Sequence, residues 1–157
     1  MKKYEFTGET KVEYGVILKR IRRLSNGELG GWIEKEENLS QISDSAWVSG
    51  SARVFESAQV FGSARVCESA RVFGSARVSG EARVSFFDDI MSITNLIFNL
   101  TVTRKDCAIG CHVKTHAEWL AITKEEAVKM GLPEEDFFFW KDLLKLLFSR
   151  MKEKSES

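Results

Sequence analysis

The sequence predicts an all-β solenoid followed by helices, and two repeating positions carry that prediction. Valine recurs at Val48, Val54, Val60, Val66, Val72, Val78 and Val84, and alanine at Ala46, Ala52, Ala58, Ala64, Ala70, Ala76 and Ala82, each at an unbroken spacing of six. A helix with 3.6 residues per turn would scatter residues six apart around its axis, and a single strand from Ile42 to Val84 would need a hairpin turn. A stack in which each hexapeptide supplies one short strand and one corner keeps equivalent positions above one another. Valine then points inward. Alanine, two residues earlier, fills a position too narrow for a larger side chain. Gly50, Gly62, Gly74 and Gly80, beside Ser51, Ser57, Ser63, Ser69 and Ser75, supply the corners.

So short a stack has two open ends, and the flanks read as its caps. Residues 1–28 form an N-terminal hairpin, extended from Tyr4 to Leu24, with the basic run Lys19, Arg20, Arg22 and Arg23 and a turn at Asn26 and Gly27. The solenoid spans 29–115. Leu29 to Ile33 enters it, with Gly30 and Gly31 at a tight corner and Trp32 covering the exposed end. After Val84 the six-residue phase weakens: Ile90, Leu96 and Val102 fit it, Phe86 and Phe87 break the small-residue rule, and Asp88 and Asp89 read as a turn. One or two irregular coils are expected to end near Val113, with Cys107, Ile109 and Val113 partly facing inward.

Residues 116–151 form a C-terminal helical element. Thr123 and Glu126 make a capping box for a helix to Met130, which Gly131 and Pro133 end. A second helix runs from about Glu134 to Met151, acidic at its start and carrying Lys145 and Arg150 later, as the helix dipole favours. Residues 152–157 read as a frayed, disordered tail.

The chain has 157 residues, the size of one ordinary domain, and its 23 lysines and arginines balance 23 aspartates and glutamates. Zero net charge removes any bulk attraction for polyanions and offers little repulsion against self-association. Cys67, Cys107 and Cys111 make no disulfide framework, which suits a reducing compartment. With no long apolar run and no signal-peptide pattern, the expectation is a cytoplasmic protein that does not enter the membrane.

The V-x-G-x-A-R repeat resembles the bacterial hexapeptide-repeat proteins. GELGGWIEKEENLSQ at Gly27 to Gln41 and TVTRKDCAIGCHVKTHAEWL at Thr101 to Leu120 are similar to a phage and enterobacterial group of them, a likeness covering nearly the whole chain. This resemblance implies a short left-handed parallel β-helix with three hexapeptides per triangular coil, so that residues eighteen apart stack. Val48, Val66 and Val84 form one interior column, Val54 and Val72 a second, and Val60 and Val78 a third. Outside, Phe55 stacks on Phe73, Phe61 on Ser79, Arg53 on Arg71, Gln59 on Arg77, and Arg65 on Arg83 beneath Trp47. Cys67 falls between Ser49 and Ser85. The resemblance also implies a phage-related origin. Transferases of the wider family are typically trimers with a catalytic histidine between subunits, using acyl-CoA or a nucleotide sugar.

Only two histidines are present, His112 and His116, both beyond the regular repeats. With Cys107 and Cys111 they invite a zinc reading, but the C-x-x-C pairing is absent and ordinary packing is the plainer account, so no metal is expected. His116 near Glu118 invites a general base, making His112, His116 and Glu118 the catalytic candidates. Arg53, Arg65, Arg71, Arg77 and Arg83 are anion-binding candidates. A coil pitch of about 4.8 Å does not match a base rise of roughly 3.4 Å, and Glu56, Glu68 and Glu81 dilute the field, which argues against nucleic acid.

Outward aromatics at Phe55, Phe61 and Phe73, with Phe137, Phe138, Trp140, Leu144 and Leu147 on the C-terminal helix, are interface candidates, and Phe139 and Leu146 widen the helix face. That helix packs either within its own protomer or against another. The leading expectation is a non-enzymatic phage-type protein-interaction module without a cofactor, self-associating as a dimer or trimer, or binding and inhibiting a host enzyme or defence component. The alternatives are an acyltransferase using acyl-CoA at an inter-subunit site, and a binder of small anionic ligands.

Overall fold

The computed structural model describes residues 1–42, 45–86, 89–94 and 96–155, the last four by their backbone alone. The expected repeat positions Ser43 and Asp44, and the expectations for Phe87, Asp88, Glu156 and Ser157, lie outside the described residues. The chain is rich in strands, with parallel sheets in its middle and a long helix at its C-terminal end.

Strands β1 (Tyr4–Glu13) and β2 (Val16–Arg23) form the N-terminal hairpin. Its two-residue turn is Tyr14–Gly15, both at positive φ (53° and 76°), the conformation whose twist matches a hairpin's strands. The Asn26–Gly27 turn then leads into β3 (Leu29–Ile33). This strand pairs on one edge antiparallel with β2, and on the other parallel with β5 (Arg53–Val54), Trp32 opposite Arg53 and Ile33 opposite Val54. The hairpin is therefore joined to the repeats through a continuous ladder that ends on β8 (Arg71–Val72). Gly31 has no room for a side chain, since a Cβ would lie 2.8 Å from both the Ala52 carbonyl oxygen and Val48 Cγ1. Trp32 does not cover an open end: it lies on the outer side of the wall, with Lys11 Nζ 4.4 Å from its ring centre.

The repeats give four further two-residue pairings at a step of eighteen. β4 (Trp47–Val48), β7 (Arg65–Val66) and β10 (Arg83–Val84) make one parallel ladder, β5 and β8 continue the first, and β6 (Gln59–Val60) pairs with β9 (Arg77–Val78). Leu39 bridges to Val60, so the pattern begins before the regular repeat. All seven repeat valines and all seven repeat alanines are at most 1% exposed and belong to one core with Tyr4, Ile21, Ile33 and Leu39. The expected valine columns are present.

The corners follow from the same step of six. Gly50, Glu56, Gly62, Glu68, Gly74 and Gly80 all adopt φ between 55° and 67°. That conformation is costless for glycine but costs other L-residues roughly 1–2 kcal/mol. Glu56 gains a partial return: its carboxylate accepts the Gly74 amide at 2.7 Å, while its own amide donates to Glu34 at 2.6 Å. Near the entry, fully buried Asn38 acts as a side-chain rung, donating from Nδ2 to the carbonyls of Glu56 (3.1 Å) and Ala58 (2.8 Å) and accepting the Lys35 amide.

Beyond Val84 the expected irregular coils are replaced by an antiparallel four-stranded sheet. Its strands are β11 (Ile90–Ile93), β12 (Leu100–Thr103), β13 (Asp106–Ile109) and β14 (His112–Thr115), in that order. Parallel pairing thus ends at Val84, not at residue 115. The reason is local: Arg104–Lys105 and Gly110–Cys111 make tight reversals, and alternation buries Leu100, Val102, Cys107 and Ile109 in a second core. The new sheet also caps the repeats. Thr101 Oγ1 accepts the Arg77 amide at 2.9 Å, and Asp89 accepts the amides of Ser85 and Phe86.

Helices α1 (His116–Ala121), α2 (Lys124–Lys129) and α3 (Phe137–Ser155) complete the chain. Thr123 and Glu126 form the expected capping box. The α-helical turns of α3 begin at Phe137, three residues later than expected because Glu134–Asp136 is a 3-10 turn, and they run through Ser155. Trp140, Leu144, Phe148 and Met151 pack on Leu100, Val102, Cys107 and Trp119. The C-terminal helix packs within its own protomer, on the antiparallel sheet.

Glu68 has the strained corner conformation without the carboxylate contact that Glu56 makes. Glu68→Gly should stabilise the fold by about 0.5–1 kcal/mol in urea denaturation, the strain relieved exceeding the added flexibility of the unfolded chain. Asn38→Leu should cost about 2–4 kcal/mol, because two buried carbonyls lose their donor.

Candidate functional site

Glu118 and His116 are each engaged in structural contacts. Glu118 closes a capping box on α1, accepting the Thr115 amide at 2.8 Å and hydroxyl at 3.0 Å, and these two bonds hold its carboxyl below the usual range. His116 is buried. Its Nε2 lies 2.8 Å from the Thr103 carbonyl oxygen, which can only accept, so Nε2 carries the proton; its ring stacks on Phe148 with centres 4.0 Å apart. His116 thus ties α1 to both the sheet and α3, while Glu118 caps α1. His112 is exposed on β14.

The cysteines are free. Cys107 is buried, and burial followed by the neighbouring Asp106 charge pushes its thiol up to about 12, which keeps it protonated and inert. Cys111 is exposed at the β13–β14 turn. Among the described residues, these cysteines and histidines are not gathered with each other or with carboxylates into a group that could hold a metal ion.

The aromatic candidates separate into three environments. Phe55 is buried between Tyr14 of the hairpin (6.2 Å between ring centres) and Phe73 (5.4 Å), and both of these flanking rings remain exposed. Phe61 lies under the Arg77 guanidinium at 5.1 Å. On α3, Trp140 and Leu144 belong to the core, with Phe137 and Leu147 half-buried. The outer face carries Phe138, Phe139 and Leu146, respectively 69%, 56% and 68% exposed. Of the aromatic candidates named on the helix, Phe138 alone faces outward, and Phe139 and Leu146 join it. A small apolar cavity of about 80 Å³ lies beneath the helix, among Phe98, Trp119, Met130, Leu132, Phe137 and Trp140. Lys141 at its edge donates to the Leu120 and Ile122 carbonyls, and burial lowers its pKa.

The five ladder arginines are likewise not equivalent. Arg53 forms an ion pair with Glu13 of the hairpin, Arg71 lies over Tyr14 at 5.4 Å, and Arg77 over Phe61. Arg65 and Arg83 are exposed and in register on adjacent strands, and among the described residues neither guanidinium has an ion pair, hydrogen bond or ring contact. They border an open groove of about 610 Å³ whose other walls include Ser45, Ser63, Ser85, Glu81, Asp89, Arg104 and Lys105.

Arg104 and Lys105 sit on the β12–β13 turn. Sequence reasoning placed neither in a site, because only the antiparallel reversal brings them beside β10. Arg104 donates to Asp89 at 2.6 Å and to the Met151 carbonyl at 3.1 Å; Lys105 pairs with Glu81 at 3.1 Å. Burial opposes ionisation of Asp89, but the Arg104 hydrogen bond and the Ser85 and Phe86 amides outweigh it and hold the carboxyl below its usual range. Both carboxylates of this groove are thereby matched, and among the described residues Arg65 and Arg83 have no carboxylate within ion-pair distance, although on their other side they border a second groove that also carries Glu28 and Glu68.

Compared with known proteins, the chain matches no family model and no curated sequence. Among the described residues, no helix is long and apolar enough to cross a membrane.

Because its folded pKa is depressed, Asp89 stabilises the fold above the unfolded value near 3.9, and that contribution is lost as pH falls through the folded pKa. Asp89→Asn should cost about 1–3 kcal/mol near neutral pH, with the deficit shrinking progressively below about pH 4. Urea denaturation of both proteins across pH 3 to 7 would check the sign.

Proposed function

We propose that the chain is a non-enzymatic protein-interaction module of the hexapeptide-repeat, phage-type kind. Its parallel ladders form a left-handed parallel β-helix, a stiff platform for the antiparallel sheet and α3. The outer face of α3 associates with a second copy of the chain. The observation that carries this reading is the exposure of Phe138, Phe139 and Leu146 after α3 has already filled its own core with Trp140, Leu144, Phe148 and Met151.

Geometry and charge favour a second copy as the occupant. Phe138 and Leu146 lie two turns apart on one side of the helix with Asp142 between them, so antiparallel pairing about a two-fold axis near Asp142 seats each Phe138 against a Leu146. Lys145, 3.7 Å from Asp142 on the same helix, offsets the acidic charges that the axis brings together. The zero net charge adds no long-range repulsion. A catalytic role gains no comparable support, since His116 and Glu118 are committed to packing and capping.

Light scattering on a size-exclusion column, over a range of concentrations, tests the reading. The expected wild-type mass approaches two protomers, and Phe138→Asp or Leu146→Asp should return it to the 17.8 kDa of one chain. A wild-type mass of one protomer throughout would overturn it.

A further inference from the structure

Each charge on the wall of this protein can be asked what it is for. Arg53 answers to Glu13, Arg71 to Tyr14, Arg77 to Phe61, Arg104 to Asp89, and Arg23 to both Glu28 and the Trp47 ring. Among the described residues Arg65 and Arg83 have no such answer, although the register of β7 and β10 holds their strands at a rung spacing of about 4.8 Å and so keeps two like charges side by side.

The groove beside them accentuates the imbalance. Its four cations, Arg65, Arg83, Arg104 and Lys105, face two carboxylates, Glu81 and Asp89, leaving a net of two positive charges. Asp89 cannot turn toward the arginines, because one oxygen accepts Arg104 and the other accepts two backbone amides. The serines Ser45, Ser63 and Ser85 place hydroxyls along the same wall.

We propose that this groove binds a small molecule through a phosphoryl dianion held between Arg65 and Arg83. A phosphoryl group carries close to two negative charges and three acceptor oxygens, so it can engage two guanidinium forks at once, whereas a single carboxylate satisfies one. The groove's volume of about 610 Å³ lies within the range of small-molecule sites. A nucleic-acid strand fits less well, because the free ladder is only two rungs long. On one side its next position is Trp47, nearly buried, with Arg23 lying 4.1 Å from its ring centre; on the other β10 is the last strand of that ladder.

The test titrates inorganic pyrophosphate into the isotopically labelled full chain at low ionic strength, following backbone amide resonances. Saturable binding is expected, with the largest shifts around Arg65 and Arg83. Arg65→Ala and Arg83→Ala should each weaken binding at least tenfold, and Arg71→Ala, an exposed rung arginine on another ladder, should leave it unchanged. Unaltered circular dichroism in all three variants would confirm that the fold is intact. Failure to saturate in the millimolar range, or equal loss in Arg71→Ala, would overturn the site. A short single-stranded oligonucleotide binding more tightly than pyrophosphate at equal phosphate concentration would overturn the small-molecule assignment. The dimer proposed above rests on α3 and is read by mass, so either proposal can fail alone.

Discussion

The space between the parallel ladders admits a valine side chain and an alanine methyl at each repeat and leaves almost no surface of either in contact with water. That constraint organises the rest of the molecule. It fixes the period at six, because each corner must return the next valine to the interior. Since neighbours along a strand point to opposite sides, it also places the residue before each valine on the outer wall, where five of the seven such positions are arginine. A rule about interior volume thereby creates columns of positive charge outside.

Much of the surface architecture answers those columns. The hairpin supplies Glu13 for Arg53 and Tyr14 for Arg71, so its tip both shields charge and extends the aromatic row through Phe55 to Phe73. The antiparallel sheet does similar work at the other end: Thr101 receives the Arg77 amide, and Arg104 ties Asp89, which caps β10, to the end of α3. Capping and charge management are therefore carried out by the same residues, and the core of the second half is connected to the first through polar contacts.

The valine columns were legible because a strict period leaves few alternatives. The capping box at Thr123 was legible because its spacing is local. Thr115 and Glu118 have the same spacing and announce α1 in the same way, yet the neighbouring His116 invited a catalytic reading of a structural carboxylate. From residue 86 onward, two patterns compete in one stretch. Ile90, Leu96 and Val102 fit a step of six, while Leu100 with Val102 and Cys107 with Ile109 fit a step of two. The shorter period prevails because reversals at Arg104–Lys105 and Gly110–Cys111 allow α1 and α3 to cover the resulting sheet. The groove was illegible for a related reason: Arg104 lies far from Arg65 in sequence and meets it only through that reversal.

Strand β3 belongs to two kinds of sheet, since one edge takes β2 antiparallel and the other takes β5 parallel. It acts as a fixed origin from which the three ladders are dealt in rotation, six residues apiece. Lengthening the repeat by eighteen residues would add one strand to each ladder and return the closing sheet to the same ladder it meets now. An insertion of six would instead present that sheet to a different wall, separating Thr101 and Asp89 from the amides they cap. Eighteen residues are therefore the unit of length that keeps both ends of the stack in phase, and any smaller step is penalised at the far end.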